Sequence, residues 1–533
     1  MKVSFWALVC LLWVLATGIN MSKAFHVDDT FHLEAACWIL ENPSRPMSAC
    51  INWGDDIQNM YCSSQPPLYF YFVAWIGHMF SFTEWPLHLM QSVFTFMALY
   101  FFAKSALILY PAHAAWLLIL FATGPAFLVN QNLMVDMPVL GFFMLILYLC
   151  LKPEPKSRNY AWANISIGIS FLIKYTSIAF APAIALAVLY RKRYVQILWT
   201  AIPGFLFFLW SALNFYEYHR IHLINRESLP FDINVLGEKI RSFLMVLGSV
   251  SPFVIILIAA LLPGKVKIQK AITFIACLLP LVFILMFYVG WIQEFQSSNF
   301  LLKVFIVNGI LCMGISLYAG FRMVSWKGLR YRKIQEYSTW VLISLFICVS
   351  LFVTWMAPFM ATRHILLVIP VLLLLAGSLL DRVPVSIIAT GSLMNLALGL
   401  ALALGDLQYA NDYKNYAALM TKLYPDKERV WMLGHWGFQW YMKEEGYPVY
   451  ETSFTRPNTG DIFIIPRNYS VQKVNEDIEL SEPVFFILPN PDIINVRNFA
   501  SLYASPYPIL PWRLSTQYAD TLAIHRVIKN RMK

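Results

Sequence analysis

Pro67–Leu68–Tyr69–Phe70–Tyr71–Phe72–Val73–Ala74–Trp75–Ile76–Gly77–His78–Met79–Phe80 decides how the chain threads through its surroundings. The stretch is apolar and aromatic, yet it is short and opens on Pro66–Pro67. A membrane-crossing helix needs about 20 apolar residues, so this one reads as an interfacial or partly re-entrant helix. Around it lie longer apolar runs: Val3–Met21, Pro86–Leu109, Ala114–Val129, Met137–Leu151, Tyr160–Ile173, Ser177–Tyr190 and Val195–Leu213. Further on come Phe243–Leu262, Ala271–Trp291, Leu301–Phe321, Thr339–Pro358, His364–Leu380 and Pro384–Leu404. That predicts about thirteen transmembrane helices. Composition agrees: the 533 residues are 59% hydrophobic and only 13% charged, with mean hydropathy +0.59, against about 25% charged in soluble domains.

Loop charge tests the reading of Pro67–Phe80. If that stretch does not span and Met1 lies inside, one side collects Lys104; Lys152, Lys156 and Arg158; Arg191, Lys192 and Arg193; Lys265, Lys267 and Lys270; Arg322, Lys327, Arg330, Arg332 and Lys333; and Arg382. This is the positive-inside pattern, and it breaks at nearly every loop if Pro67–Phe80 spans. The +10 net charge is thus spread over loops that orient spans, and it forms no single basic patch for a nucleic-acid partner. The far side then receives the loop at residues 22–66, the Asn130–Asp136 loop, the break at Lys174, Arg363–His364, and the tail at residues 406–533.

The outer loop carries the densest group of ionisable residues, His26–Val27–Asp28–Asp29–Thr30–Phe31–His32–Leu33–Glu34. Adjacent carboxylates there could supply a general base or, with His26 and His32, a metal ligand set. They could equally form a hydrated loop with Asp as N-cap of a helix over Thr30–Leu40. Asp136, in Val135–Asp136–Met137–Pro138, reads as an N-cap with proline in the first turn, a position that can also serve a site. Lys174 and Arg363–His364 stand on the side where the positive-inside rule disfavours cations. Snorkelling explains a lone lysine; an anion such as a lipid phosphate explains all three. Tyr69 and its neighbours read as an interfacial aromatic belt or as a pocket wall.

Eight cysteines are scattered without metal spacing, and Cys50 with Cys62 is the pair expected if the outer loop faces an oxidising compartment. The N-terminal run reads as an uncleaved first span. The tail drops in apolar content, with strand-like runs Arg429–Leu433, Asp461–Pro466, Val484–Leu488 and Leu522–Ile528 and a helical Phe438–Glu445.

These segments, in this order, resemble the GT-C glycosyltransferases of the family 39 type, which include protein O-mannosyltransferases, the lipid A aminoarabinose transferase and Rgt-type enzymes. Val27–Asp28–Asp29–Thr30–Phe31–His32 is similar to the first-loop Asp-Glu motif, with Asp29 in place of Glu. Gln65–Pro66–Pro67–Leu68–Tyr69 resembles His-Pro-Pro-Leu-Tyr, and Leu133–Pro138 resembles a Thr-Asp-Met-Pro segment. Phe171–Thr176 resembles Leu-Thr-Lys-Gly-Pro without its Gly and Pro. Arg363–Pro370 resembles Arg-Tyr-Leu-Leu-Pro-Ala-Leu-Pro, and Gly434–Gln439 resembles the tails of Rgt-type members.

The resemblance implies an all-α polytopic membrane protein of GT-C type over residues 1–405, with a small α/β extracytoplasmic domain over 406–533. It implies transfer of a sugar from a polyprenyl-phosphate donor to an extracytoplasmic acceptor. Asp28 is the expected general base and Asp29 its support or a metal ligand. Lys174, Arg363 and His364 are assigned to the donor phosphate, and Asp136, His32, Glu34 and Tyr69 to the pocket. Metal need stays open: His26, Asp28, Asp29 and His32 could ligate a divalent metal, yet no spacing demands one. Few glycosylation sequons and the Rgt-like motifs favour a bacterial inner membrane. The alternative is a transporter or flippase of lipid-linked sugars, which calls for ionisable groups at mid-depth and repeated broken helices.

Overall fold

A computed structural model describes residues 4–63, 65–225, 233–325, 332–467, 472–488, 494–497, 499–517 and 520–532. Lys327 and Arg330 of the expected basic loop lie outside these residues. Among the described residues, seven helices are long and apolar enough to cross a membrane: Glu84–Leu109, Tyr194–Tyr218, Val266–Tyr288, Glu294–Val324, Glu336–Met356, Thr362–Arg382 and Val385–Leu423. An eighth candidate is the pair Val235–Ser249 and Val254–Ala260, bent by 87°. The bend follows from Pro252, which cannot continue the ladder; Asn308 Nδ2 donates to the freed carbonyls of Gly248 (2.7 Å) and Ser251 (3.1 Å). The remaining expected spans are helical but short, as in Phe5–Gly18, Asp136–Leu151 and Tyr175–Tyr190. The run Ala114–Val129 is interrupted at Gly124 between helices Ala114–Ala122 and Pro125–Val129.

Leu68–Phe80 is a helix of 13 residues. At 1.5 Å per residue it reaches about 20 Å, short of the ~30 Å hydrocarbon core. It packs beside the first-loop helix Asp29–Glu41, and its Leu68 N–H donates to the Leu172 carbonyl (3.1 Å). Thr362–Arg382 forms the bundle's centre, 89% of its apolar window being buried. Its run of Ile, Leu and Val has no polar stripe, as a helix surrounded by other helices requires.

Lys104 Nζ lies 5.1 Å from the ring of Trp6, so this lysine shares an end of the bundle with the N-terminus. That end also holds a cavity of about 430 Å³ lined by Tyr110, His113, Arg322, Asp381 and Arg382. The opposite end carries the first loop and the tail.

The helix Val385–Leu423 has 39 residues and runs without a break through Asp406, where the composition changes. At about 58 Å it outreaches a bilayer core, and its C-terminal part meets the tail, Arg497 Nη1 pairing with Asp412 at 2.6 Å. In the tail, Asp520–Asn530 is the central strand. On one side it pairs antiparallel with Ile462–Pro466, which pairs parallel with Val430–Met432. Its other edge takes Val484–Leu488 and Ile478–Leu480. The helix Trp436–Glu444 follows the first of these strands.

First loop and tail interlock. Thr452 N–H donates to Asp55 O (3.0 Å), Gln472 Nε2 to the same carbonyl (2.6 Å), and Ser453 Oγ to Asp56 Oδ2 (2.6 Å). Gly437 lies against the Phe25 backbone: a Cβ built there comes within 2.2 Å of the Phe25 carbonyl oxygen. Gly437→Ala is therefore expected to destabilise the protein by about 1–3 kcal/mol, read as earlier proteolytic cleavage between tail and membrane helices. Unchanged protease resistance would mean that this contact yields without cost.

Cys50 and Cys62 are both free and exposed, against the expected pairing. Cys50 opens the strand Cys50–Asn52, paired across a hairpin with Ile57–Asn59, and Cys62 sits in the short helix that follows. The hairpin hydrogen bonds already fix this loop without a covalent link.

Candidate functional site

Asp28 takes the N-cap position of the helix Asp29–Glu41, but its side chain makes no cap hydrogen bond. Its Oδ2 instead accepts from Arg363 Nη1 at 2.6 Å, the two residues being 335 positions apart in the chain. Val27 explains the aim. Its φ is +50°, a left-handed conformation that a β-branched residue adopts only when its surroundings force it. The segment before it is held residue by residue: Ala24 N–H donates to Asn411 Oδ1 (3.0 Å), Phe25 N–H to Tyr441 Oη (2.7 Å), and His26 N–H to Asp29 Oδ2 (2.8 Å).

A second ion pair stands beside the first. Lys174 Nζ donates to Asp136 Oδ1 at 2.6 Å, both side chains nearly buried. Asp136 is the first residue of its helix, Val135 taking the cap position, so the N-cap reading of Asp136 gives way to an ion-pair role. Lys174 lies within electrostatic range of Asp136, Arg363 and Asp28, and His364 within range of Lys174, Arg363 and Asp136. The site thus gathers Asp28, Asp136, Lys174, Arg363 and His364 at one end of the bundle. Arg363 Nε and His364 Nδ1 are buried without a hydrogen-bond partner.

His32 and Tyr69 form the floor. His32 Nδ1 pairs with the Leu133 carbonyl at 2.8 Å, which assigns the proton to Nδ1 and leaves Nε2 an acceptor. Burial lowers its pKa to about 4, with Asp28 opposing, so the ring is neutral at pH 7. Tyr69 Oη donates to Gln91 Oε1 (2.7 Å), and Gln91 Nε2 donates to the carbonyls of Asn132 and Met134 (2.8 Å each). Tyr69 therefore holds, through Gln91, the loop that ends in Asp136.

Two expected site residues turn elsewhere. Glu34 accepts from Gln439 Nε2 (2.7 Å) and Lys443 Nζ (3.1 Å), which fastens the first-loop helix to the tail. Asp29 points inward and is fully buried, its Oδ1 unpartnered. Burial raises its pKa to about 8, against the His26 amide and Lys23, so a proton stays on it at neutral pH. His26 faces Tyr409, Tyr413 and Tyr503 instead of His32. Among the described residues no three His, Cys, Asp or Glu side chains converge, so the expected metal set His26, Asp28, Asp29 and His32 is not assembled.

The Asp29 proton has a measurable consequence. The native state keeps it from the ordinary carboxylate range, about 3.9, up to about 8, where the unfolded chain has lost it. Stability from this group therefore falls as pH rises through that window and levels off above it. His32, with its lowered pKa, acts in the opposite sense below about 6.5. The difference between Asp29→Asn and the unchanged protein isolates Asp29. The variant is expected to lose the decline in melting temperature between pH 5 and 8; parallel curves would show that Asp29 is ionised in the fold.

Lys23, Asp406 and Tyr503 belong to the same end and escaped the sequence reading. Lys23 and Asp406 form an ion pair fully buried at 1% and 0% exposure, and Tyr503 Oη donates to Asp406 Oδ2 (2.6 Å). A lysine on the wrong side of the charge pattern was the signal for it, as it was for Lys174.

Residues 64–215 match the family described as dolichyl-phosphate-mannose-protein mannosyltransferase. Over this stretch, less than a third of the chain, the protein is similar to that family. The matched stretch contains Tyr69, Asp136 and Lys174, while Asp28, Arg363 and His364 come from outside it. No curated protein sequence matches the chain. Among solved structures, the chain is similar to ArnT from Cupriavidus metallidurans. In the apo state the alignment covers 84% of each chain at 14% identity, TM-score 0.43; bound to undecaprenyl phosphate it covers 78% of this chain and 72% of that one at 13%, TM-score 0.40. It is also similar to the Archaeoglobus fulgidus oligosaccharyltransferase, over 86% of this chain and 61% of that one, at 13% identity and TM-score 0.45.

Proposed function

We propose that the protein moves a sugar from a polyprenyl-phosphate carrier to an acceptor hydroxyl on the non-cytosolic side of a membrane, in a bacterium the inner membrane. The reading rests on one observation: two carboxylate–cation pairs, Asp28–Arg363 and Asp136–Lys174, stand side by side at one end of an apolar bundle. Arg363 Nε and His364 Nδ1 are left without partners there. A phosphate offers both cations a better-matched acceptor than a single carboxylate, Arg363 as a fork and Lys174 as a point charge. Donor binding then frees Asp28 from Arg363.

In the reaction the sugar's anomeric carbon leaves the phosphate oxygen and bonds to the acceptor oxygen, and Asp28 takes the acceptor's proton. Lys174 and Arg363 stabilise the charge that returns to the departing phosphate. His32, neutral, and Tyr69 shape the floor; Asp136 holds Lys174 in place before the donor arrives. Asp29, carrying its own proton, supports the His26 turn and takes no proton from substrate.

Membranes containing the protein, given labelled polyprenyl-phosphate mannose and then other polyprenyl-phosphate sugars, are expected to release polyprenyl phosphate and label an acceptor. If none of these donors loses its sugar, the reading fails. The alternative of a transporter or flippase is not favoured, because both ion pairs sit at one end of the bundle and residues 64–215 match a family of transferases.

A further inference from the structure

Building on the glycosyl-transfer reading above, we infer that Tyr503, with Lys23 and Asp406, is a positioning group that sets the Asp28 arm of the site against the Arg363 arm, the tail acting as the gauge between them. Leu502 and Tyr503 are adjacent in the tail and reach the two arms separately. The Leu502 carbonyl accepts from Thr362 N–H and Thr362 Oγ1, both at 2.9 Å; Thr362 directly precedes Arg363 and also accepts from Asn130 Nδ2 (3.1 Å). A second bond on the same side runs from Ser505 N–H to the Met360 carbonyl (2.7 Å).

The Tyr503 hydroxyl serves the other arm. It donates to Asp406 Oδ2 (2.6 Å) and accepts from Asn132 Nδ2 (2.8 Å). Lys23 Nζ closes the group on Asp406 and on Asn132 Oδ1 (2.5 Å). Lys23 begins the segment whose backbone is pinned as far as His26 and whose next residue, Val27, aims Asp28 through its left-handed turn. The ring of His26 stands edge-on to Tyr503 at 5.3 Å.

A fully buried ion pair is costly unless its lone pairs and protons are satisfied. Here Asn132 and Tyr503, 371 positions apart in the chain, are recruited to satisfy most of them. Tyr503 lies within electrostatic range of Arg363, but among the described residues the group's side-chain hydrogen bonds and ion pairs go to one another and to Asn132, so it acts through position. A misplacement near 1 Å at a reacting group costs on the order of 10²-fold in rate.

The two arms can be loosened separately. Tyr503→Phe removes the hydroxyl and leaves the Leu502 carbonyl on Thr362. Turnover of polyprenyl-phosphate mannose is expected to fall roughly 10- to 100-fold, with undecaprenyl phosphate affinity within about twofold of the unchanged protein. Thr362→Val loosens the Arg363 arm and is expected to weaken undecaprenyl phosphate binding about 3- to 10-fold. Turnover is expressed per binding-competent protein, counted by undecaprenyl phosphate binding capacity, so a general loss of folded protein moves neither readout.

A third readout does not depend on turnover. Asp28→Cys with Arg363→Cys, in a background lacking the exposed Cys10, Cys50 and Cys62, is cross-linked by a short bis-methanethiosulfonate. Adding Tyr503→Phe is expected to slow the cross-link about tenfold. If Tyr503→Phe folds poorly, the paired Lys23→Met with Asp406→Asn carries the same measurement without a buried charge. Unchanged cross-linking in these variants overturns the inference whatever the activity. Slowed cross-linking, together with an unsubstituted protein that takes sugar from no polyprenyl-phosphate donor, upholds the positioning role and overturns the glycosyl-transfer reading instead.

Discussion

Asp28→Asn is expected to lower sugar transfer by about 10²- to 10⁴-fold, the range contributed by a positioned general base. The amide has the shape of the carboxylate and still offers an oxygen to Arg363, so the first loop keeps its conformation. What disappears is the capacity to take a proton from the acceptor. The experiment compares release of polyprenyl phosphate in membranes matched for protein content, with undecaprenyl phosphate affinity measured alongside. Retained affinity with lost turnover assigns Asp28 to chemistry. Turnover within about threefold of the unchanged protein would remove Asp28 from the mechanism.

Lys174→Met should produce the largest loss of stability of any single change in the site. It strands the Asp136 carboxylate, which is only 11% exposed, and breaking a buried pair from one side costs about 3–5 kcal/mol. Adding Asp136→Asn removes the stranded charge, so the double variant should recover most of that loss while remaining inactive. The unfolding midpoint in detergent checks the first statement, and the transfer assay the second. A double variant no more stable than Lys174→Met alone would show that the lysine serves packing and not charge. Recovery of transfer in the double variant would remove Lys174 from donor binding.

Much of this arrangement is written in local composition. Apolar run length and the sidedness of Lys and Arg give the bundle and the end at which the site lies. Pro66–Pro67 and the shortness of the run after it give the helix Leu68–Phe80. Strands in the tail appear where β-branched and aromatic residues alternate between turns, as in Val484–Leu488. Asp28, Asp136, Lys174, Arg363 and His364 stand out as candidates because an ionisable residue beside an apolar run is costly without a use, and the fold gathers them at one end.

Pairing is the part that local composition does not contain. Nothing near Asp28 says that its partner is Arg363 rather than His32, and nothing near Glu34 says that it faces Gln439 in the tail. Asp29 looks like Asp28 in sequence; one φ value at Val27 separates them, sending one outward and burying the other. Asp406 and Tyr503 sit in segments without a motif, and only the fold brings them to Lys23. The break at Pro252 and the interruption at Gly124 shorten helices that hydropathy alone reads as whole spans.

Val27 also bears on how this protein would respond to selection. A left-handed valine holds the native fold roughly 1–2 kcal/mol above what a glycine or asparagine would allow. A screen for heat-resistant variants should therefore find position 27 early. Its winners would survive longer and keep their rate, because the pinned backbone of Ala24, Phe25 and His26, and not the valine, commits Asp28 to one direction.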